Sequence, residues 1–402
     1  MSNLSDAWPS VQLGKVLTER RETPFTSALA DGRIRIVAKI GFNDGEIQLR
    51  SDFDTKTGMI LIRPGDLVVS GINAAKGAVA LYDEDNNDPI AATIHYSAYI
   101  PDKECVDVRY LWWLLRSAVF RNLLQQHVPG GIKTELKAKR LLPIPVPLPA
   151  LSEQQRIVVR IEKLTIKIEE ARRLRQHAIR ETEALLKSEL AATYAALIKQ
   201  NGTVPLGKLI LEAGYGTSIK CGYERLSGAI PVLRIPNVTS EQVNFTDIKY
   251  GTLSREEMNR VTVVPGDVLV VRTNGSADLV GRCAVVPGLQ EPTAFASYMI
   301  RLQCDQSVID PSYLQLMLKH LRTDGQLVNL ARTTAGQYNV SLGRLRAAQL
   351  PLPTLERQRN VVAHIDKLHL KAHPLKQIQA ETAAELDALL PSVLDKAFNG
   401  EL

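Results

Sequence analysis

The sequence lacks the marks of several common protein classes. No run approaches the ~18 uninterrupted apolar residues of a membrane span, so no transmembrane helix is expected. Residues Met1 to Leu13 carry Asp6 and Pro9 and have no apolar core, so no signal peptide is expected. Only four cysteines occur, Cys105, Cys221, Cys283 and Cys304, and none form a C-x-x-C pair. Buried free thiols in a reducing cytoplasm are therefore expected, rather than a zinc site or a disulfide framework. The seven histidines form no H-E-x-x-H or similar ligand set, which leaves a hydrolytic metal centre unsupported. No [DNS]-P-P-[YF] segment is present, so the methylating residues of adenine methyltransferases are missing. Gly202–Leu209 (GTVPLGKL) nearly spells a phosphate-binding loop, but Leu209 stands where a magnesium-binding hydroxyl is needed. A strand pattern follows it instead of a helix. No catalytic residue, metal or cofactor is expected in this chain.

What is present begins with size. A chain of 402 residues, 45% hydrophobic and 23% charged, is ordinary globular material for two or three domains. A net charge of +6 permits an anionic partner such as nucleic acid without proving one.

The strongest internal signal is a duplication. Pro147–Leu164 (PLPALSEQQRIVVRIEKL) and Pro351–Leu368 (PLPTLERQRNVVAHIDKL) align without a gap at an offset of 204, with nine of 18 positions identical, Gln154 among them. The register continues, with Leu190 falling on Leu394. Upstream, Val11–Val16 echoes Val204–Leu209, Pro64-Gly65-Asp66 echoes Pro265-Gly266-Asp267, and Asp107–Leu111 echoes Asp310–Leu314. Four echoes in one order imply two similar modules related by a pseudo-two-fold axis, too few and too long for a solenoid.

Each module has the same grammar. Short β-rich runs come first (Asp66–Ser70, Val79–Tyr82, Asp267–Arg272, Cys283–Val286), punctuated by Gly and Pro. Helices at Tyr110–Gln126 and Tyr313–Leu321 follow, then a proline-rich stop, then a long helix. The first long helix, from about Ser152 as N-cap to Leu197, carries a seam of Ile157, Ile161, Leu164, Ile168, Ala171, Arg175, Ala178, Thr182, Leu185, Glu189, Ala192 and Ala196, the spacing of a coiled coil. The second, from about Leu355 to Phe398, contains Pro374 and Pro391, where a kink or break is expected.

With these segments in view, the chain resembles the specificity subunits of Type I restriction–modification enzymes, over about residues 8–402. Leu151–Ile161, its second copy and Leu390–Leu402 (LPSVLDKAFNGEL) resemble their two conserved regions. Gly214–Val238 and Arg272–Gly281 resemble their target-recognition domains. The first recognition region matches more loosely, since Ala28–Ser51 lacks the V-L-R-I-P-N-V run of the second copy.

The resemblance implies an α/β (α+β) fold. Two similar recognition domains, 1–150 and 201–354, are separated by spacer helices, 151–200 and 355–402, paired as an antiparallel coiled coil. Each domain reads one half of a split double-stranded DNA target, and the spacer sets the gap. The subunit does no chemistry and sits in the cytoplasm. It holds two methyltransferase subunits, which use S-adenosylmethionine, and two restriction subunits, which use ATP and magnesium. A scaffold whose globular domains bind protein rather than DNA remains open at this point.

Candidate DNA contacts follow from side-chain chemistry. Arg272, Thr273, Asn274 and Ser276 after a predicted strand offer groups that read guanine, adenine or phosphate, or make an ordinary polar turn. Their first-module counterparts are Ser70, Asn73 and Lys76. Thr217, Ser218, Lys220 and Tyr223 follow the flexible Gly214-Tyr215-Gly216. A glycine-hinged loop with Gly131, Lys133 and Thr134 resembles the one with Arg332, Thr334, Gln337, Tyr338 and Asn339; each could follow a groove or merely enter a helix. Lys133, Lys137, Lys139 and Arg140 suit phosphate better than bases, with a solvated face as the rival.

Overall fold

The computed structural model describes residues 8–51, 57–128, 135–329, 332–334 and 336–402. It divides into two compact units, one of Met1–Gln176 with Gln379–Leu402, the other of His177–Ile378. Each unit is therefore a globular domain completed by segments of both long helices, and the two are built from the same parts.

In the first unit the central sheet is antiparallel, ordered Leu17–Glu19, Tyr96–Pro101, Leu67–Ser70, Val79–Leu81. In the second unit the order Ile210–Tyr215, Met299–Cys304, Val268–Val271, Cys283–Val285 repeats it strand for strand. Leu67–Ser70 and Val268–Val271 are buried at every position, which is why they read as unbroken apolar runs. Both are entered through the repeated Pro-Gly-Asp turn. Gly65 (φ 86°) and Gly266 (φ 89°) take the left-handed position that a type II turn requires after proline. Asp66 then accepts the Arg63 backbone N–H at 2.8 Å, and Asp267 accepts that of Val264 at 2.9 Å.

The helices beside these sheets are Val108–Arg116 and Pro311–Thr323, capped by Asp107 and Asp310. The expected single helix Tyr110–Gln126 is two, because Ser117 ends the first and caps Ala118–His127. The Tyr110 hydroxyl donates to the Pro147 carbonyl at 2.9 Å, and that of Tyr313 to Pro351 at 2.9 Å. These bonds tie each helix to its proline-rich stop.

The conserved glutamine of the duplication explains itself here. Gln154 and Gln358 are fully buried. Gln154 donates to the carbonyls of Pro149 (2.8 Å) and Cys105 (3.2 Å) and accepts from the Asp107 N–H (2.9 Å). Gln358 donates to Pro353 (2.8 Å) and Val308 (3.0 Å) and accepts from Asp310 (2.8 Å). A buried amide with three partners locks loop, cap and long helix together.

The long helices span Leu151–Asn201 and Leu355–Phe398. Ser152 lies inside the first turn and is not the N-cap, whereas the Thr354 hydroxyl accepts from the Arg357 N–H at 3.4 Å at the start of the second. The second helix runs through Pro374 and Pro391 without a break. Both prolines are exposed, so water can take the carbonyls that they leave unpaired.

Within each unit the helix segments run antiparallel. Arg172 pairs with Asp387 at 3.0 Å in the first, and Lys376 with Glu183 at 3.3 Å in the second. These are the same two positions of the repeat, with cation and acid on corresponding helices. Past Thr182 the expected seam fails: Leu185, Ala192 and Ala196 are exposed, while Leu190, Tyr194 and Leu197 are buried in the second core. A 3.6-residue helix drifts about 20° per heptad from a strict seven-residue seam, and the globular core takes over its apolar face. Arg175, on the predicted seam, is half-buried.

Only Cys283 and Cys304 are buried, and burial pushes both thiols up to about 12. Cys221 is half-buried and Cys105 is exposed, a correction to the expected burial of all four. A thiol-alkylating reagent at pH 8 is expected to modify Cys105 on the native chain and to spare Cys283 and Cys304 until the second unit unfolds. Peptide mass mapping checks this, and native labelling of Cys283 as fast as Cys105 would contradict the packing described.

Candidate nucleic-acid interface

In the second unit two loops that are far apart in sequence become one polar surface. Thr273–Asn274, Gln337–Asn339 and Arg332–Thr334 form a small antiparallel sheet at the end of the central strand. It brings Arg272, Thr273 and Asn274 beside Gln337, Tyr338 and Asn339. Ser276 is exposed at the turn, its N–H donating to Asn274 Oδ1 at 2.8 Å. The Arg272 N–H donates to the Tyr298 carbonyl (2.9 Å), and its carbonyl accepts from Val340 (2.8 Å). Its guanidinium lies over the Tyr215 ring, 4.4 Å from the centroid, and its Nε donates to Asn339 Oδ1 at 3.3 Å. The following helix, Leu342–Ala347, is capped by Ser341.

A cleft of about 380 Å³ lies in the same unit, lined by Ser218, Arg234, Lys249, Ser297 and Tyr298 among others. Ser218 donates to the Ser297 hydroxyl at 2.9 Å. Tyr223 and Lys220 are exposed, and the Lys249 ammonium sits 4.5 Å over the Tyr223 ring. A hydrogen bond from Tyr223 and the adjacent Arg234 hold the Asp247 carboxyl below its usual range. Lys249 and the exposed Tyr298 went unnoticed in the sequence, where neither sits in a motif, and Tyr215 was read only as part of a flexible Gly214-Tyr215-Gly216 hinge.

Two candidates are withdrawn from the surface. Thr217 is buried, its hydroxyl accepting the Ile219 N–H at 3.2 Å, and Ser70 is buried beside the Asn73 N–H at 3.4 Å. Short hydroxyl side chains that satisfy their own loop are structural. In the first unit Asn73 is half-buried and Lys76 exposed, its ammonium 5.7 Å over the Phe42 ring. Gly131, Lys133 and Thr134 lie outside the described residues. Lys139 and Arg140 are exposed, and Lys137 pairs with Glu135 at 3.2 Å.

Among the described residues no group of three or more His, Cys, Asp or Glu could hold a metal ion, and no helix is long and apolar enough to cross a membrane.

Comparison with known proteins bears on this surface. The profile of the Type I restriction modification DNA specificity domain matches residues 6–176. The Type I restriction enzyme StySPI specificity subunit of Salmonella potsdam is 23% identical over 354 residues, covering 85% of this chain and 75% of its own. The EcoKI specificity subunit of Escherichia coli (strain K12) is 22% identical, with the same shares. Over most of its length the chain is thus similar to Type I specificity subunits. A solved chain from work on assembly and conformational transition of the type I R-M system shares the fold with a TM-score of 0.78 at 23% identity, each chain covered in full. The HsdS subunit from Thermoanaerobacter tengcongensis does so with a TM-score of 0.58 at 24% identity, covering 100% of this chain and 99% of that one. These similarities favour DNA sequence specificity over a protein-binding scaffold.

In this chain the duplicated scaffold carries different chemistry at equivalent points. Gly71 donates to the His95 carbonyl at 2.8 Å and accepts from Leu136 at 2.8 Å, the bonds that Arg272 makes with Tyr298 and Val340. A Cβ at Gly71 would come within 3.0 Å of the His95 oxygen. Glu135, paired with His95 at 3.2 Å, stands where the second unit has Asn339. One unit thus presents an arginine and an amide, the other a glycine and a carboxylate.

Proposed function

We propose that the two globular units, residues 1–150 and 201–354, each read one half-site of a bipartite double-stranded DNA target, and that the helices at 151–200 and 355–402 hold the complex together. The observation that carries this reading is the repeated scaffold with unlike side chains at matching positions, Gly71 against Arg272. Two readers on one frame suit two half-sites of different sequence. The contacts proposed in the second unit are Ser218, Lys220, Tyr223, Arg272, Thr273, Asn274, Ser276, Arg332, Thr334, Gln337 and Tyr338. In the first unit they are Asn73 and Lys76, with Gly131, Lys133 and Thr134. The subunit itself is non-catalytic and works in the cytoplasm. It assembles with two methyltransferase and two restriction subunits, which bring S-adenosylmethionine, ATP and magnesium.

Mapping methylated adenines in cells that express this chain with its methyltransferase tests the reading. The expected motif has two unlike halves around a gap of fixed length. Replacing Lys76 and Asn73 by Ala is expected to relax one half, and replacing Lys220 and Tyr223 the other. Equal relaxation of both halves by either pair would refute the division of labour.

A further inference from the structure

We propose that Arg272 reads a guanine in the half-site contacted by the second unit, with Tyr215 and Asn339 as positioning residues for its guanidinium. This rests on the DNA-reading role given above and adds to it the base read and two positioning residues.

The guanidinium is held on two sides. Its face stacks on the Tyr215 ring at 4.4 Å, and its Nε edge is tied to Asn339 Oδ1 at 3.3 Å. Tyr215 is itself anchored, its hydroxyl accepting the Leu342 N–H at 3.3 Å. Among the described residues no carboxylate pairs with Arg272, and its two terminal nitrogens have no hydrogen-bond partner. The remaining donors are thus Nη1 and Nη2, side by side in a plane already fixed. Such a fork needs two adjacent acceptors.

In the major groove only guanine offers them, as O6 and N7. Adenine pairs one acceptor with a donor, cytosine presents a donor, and thymine presents one acceptor beside a methyl group. The backbone places Arg272 at the rim of the polar surface. Arg272 leads directly into Thr273–Asn274, an edge strand of the small antiparallel sheet, paired on one side with Gln337–Asn339, so the strand that carries it is open on its other side. A phosphate also offers two oxygens, but it carries no sequence information and needs no such restraint. The first unit supplies an internal contrast, because Gly71 occupies the equivalent point and presents no donor there.

The test uses the assembled methyltransferase on target duplexes substituted one base pair at a time. Arg272→Gln and Arg272→Lys are both expected to lose discrimination at a single G·C pair of one half-site, by roughly ten- to a hundredfold. The other half-site should be read as before, which also reports that the complex is folded. Lysine keeps the charge but lacks the fork, so the Arg272→Lys enzyme should retain the salt dependence of the parent. Tyr215→Ala and Asn339→Ala should weaken discrimination at that same pair, and Tyr215→Phe, which keeps the ring, should restore most of it. If Arg272→Gln instead weakens binding uniformly across sequences and lowers the salt slope by about one, while Arg272→Lys behaves as the parent, Arg272 holds a phosphate and the proposal falls. Loss at an A·T pair would overturn it equally. Absence of any sequence-dependent methylation by the parent complex would be a different failure, that of the DNA-reading role beneath it.

Discussion

Phe398→Ala is expected to destabilise the first unit by about 3–5 kcal/mol, although the substitution lies more than two hundred residues beyond that unit's sheet. Phe398 is fully buried and meets the Tyr110 ring edge-on, with centroids 5.4 Å apart and planes at 76°. Leu394 and Ala397 enter the same core beside Leu111, Leu114 and Ile161. Removing the ring loses its transfer free energy and leaves a cavity against rigid neighbours. In a unit of this size the loss shifts melting by on the order of 10 °C. The second unit should melt unchanged, because Tyr194 fills the corresponding place there, close to Tyr313 and stacked on His320 at 4.1 Å. Calorimetry with two resolved transitions, or hydrogen exchange read separately in each unit, distinguishes the outcomes. A first-unit melt within 2 °C of the parent would show that the C-terminal segment is not part of that core.

The second large effect is expected from Gln154→Leu and Gln358→Leu. Leucine is close in volume but takes the glutamine's partner from one buried group, the Pro149 carbonyl, and from two partly buried ones, the cap N–H of Asp107 and the Cys105 carbonyl, or their equivalents around Gln358. An unmet buried group costs about 1–3 kcal/mol and a partly buried one less, so each variant should lose on the order of 3 kcal/mol from its own unit. The Asp107 or Asp310 amide, protected in the parent, should also exchange early in the matching variant. Urea melts and amide exchange measure both effects. A loss below 1 kcal/mol with protection intact would mean that other groups, not the glutamine, close the junction.

The sequence alone carried a good deal of this molecule. The identity of Gln154 with Gln358, the twin Pro-Gly-Asp turns and the Tyr110–Tyr313 correspondence announced two copies of one fold. Each of these is a local pattern with a local cause: a turn that needs glycine, a cap that needs aspartate, an apolar run that needs burial. The loops proposed to face DNA were less legible. Ser70 and Thr217 look like any exposed polar residue in a string of letters, yet their hydroxyls face their own loops. Tyr215 gave no sign of stacking on Arg272, because nothing in either segment encodes the other's position.

By itself, then, the sequence determined the duplication, the run of β-rich segment, helix, proline-rich stop and long helix in each copy, and the resemblance to a DNA-reading family, since those rest on short-range periodicity and spacing. Tertiary structure alone decided three further matters. It placed Phe398 in the core of the first unit, slid the predicted seam beyond Thr182 onto Leu190, Tyr194 and Leu197, and joined 272–274 to 337–339 in one sheet. The reason is common to all three. Burial of an apolar face and pairing of a strand depend on which surface is available in space, and the free energy gained does not depend on how far apart the partners lie along the chain.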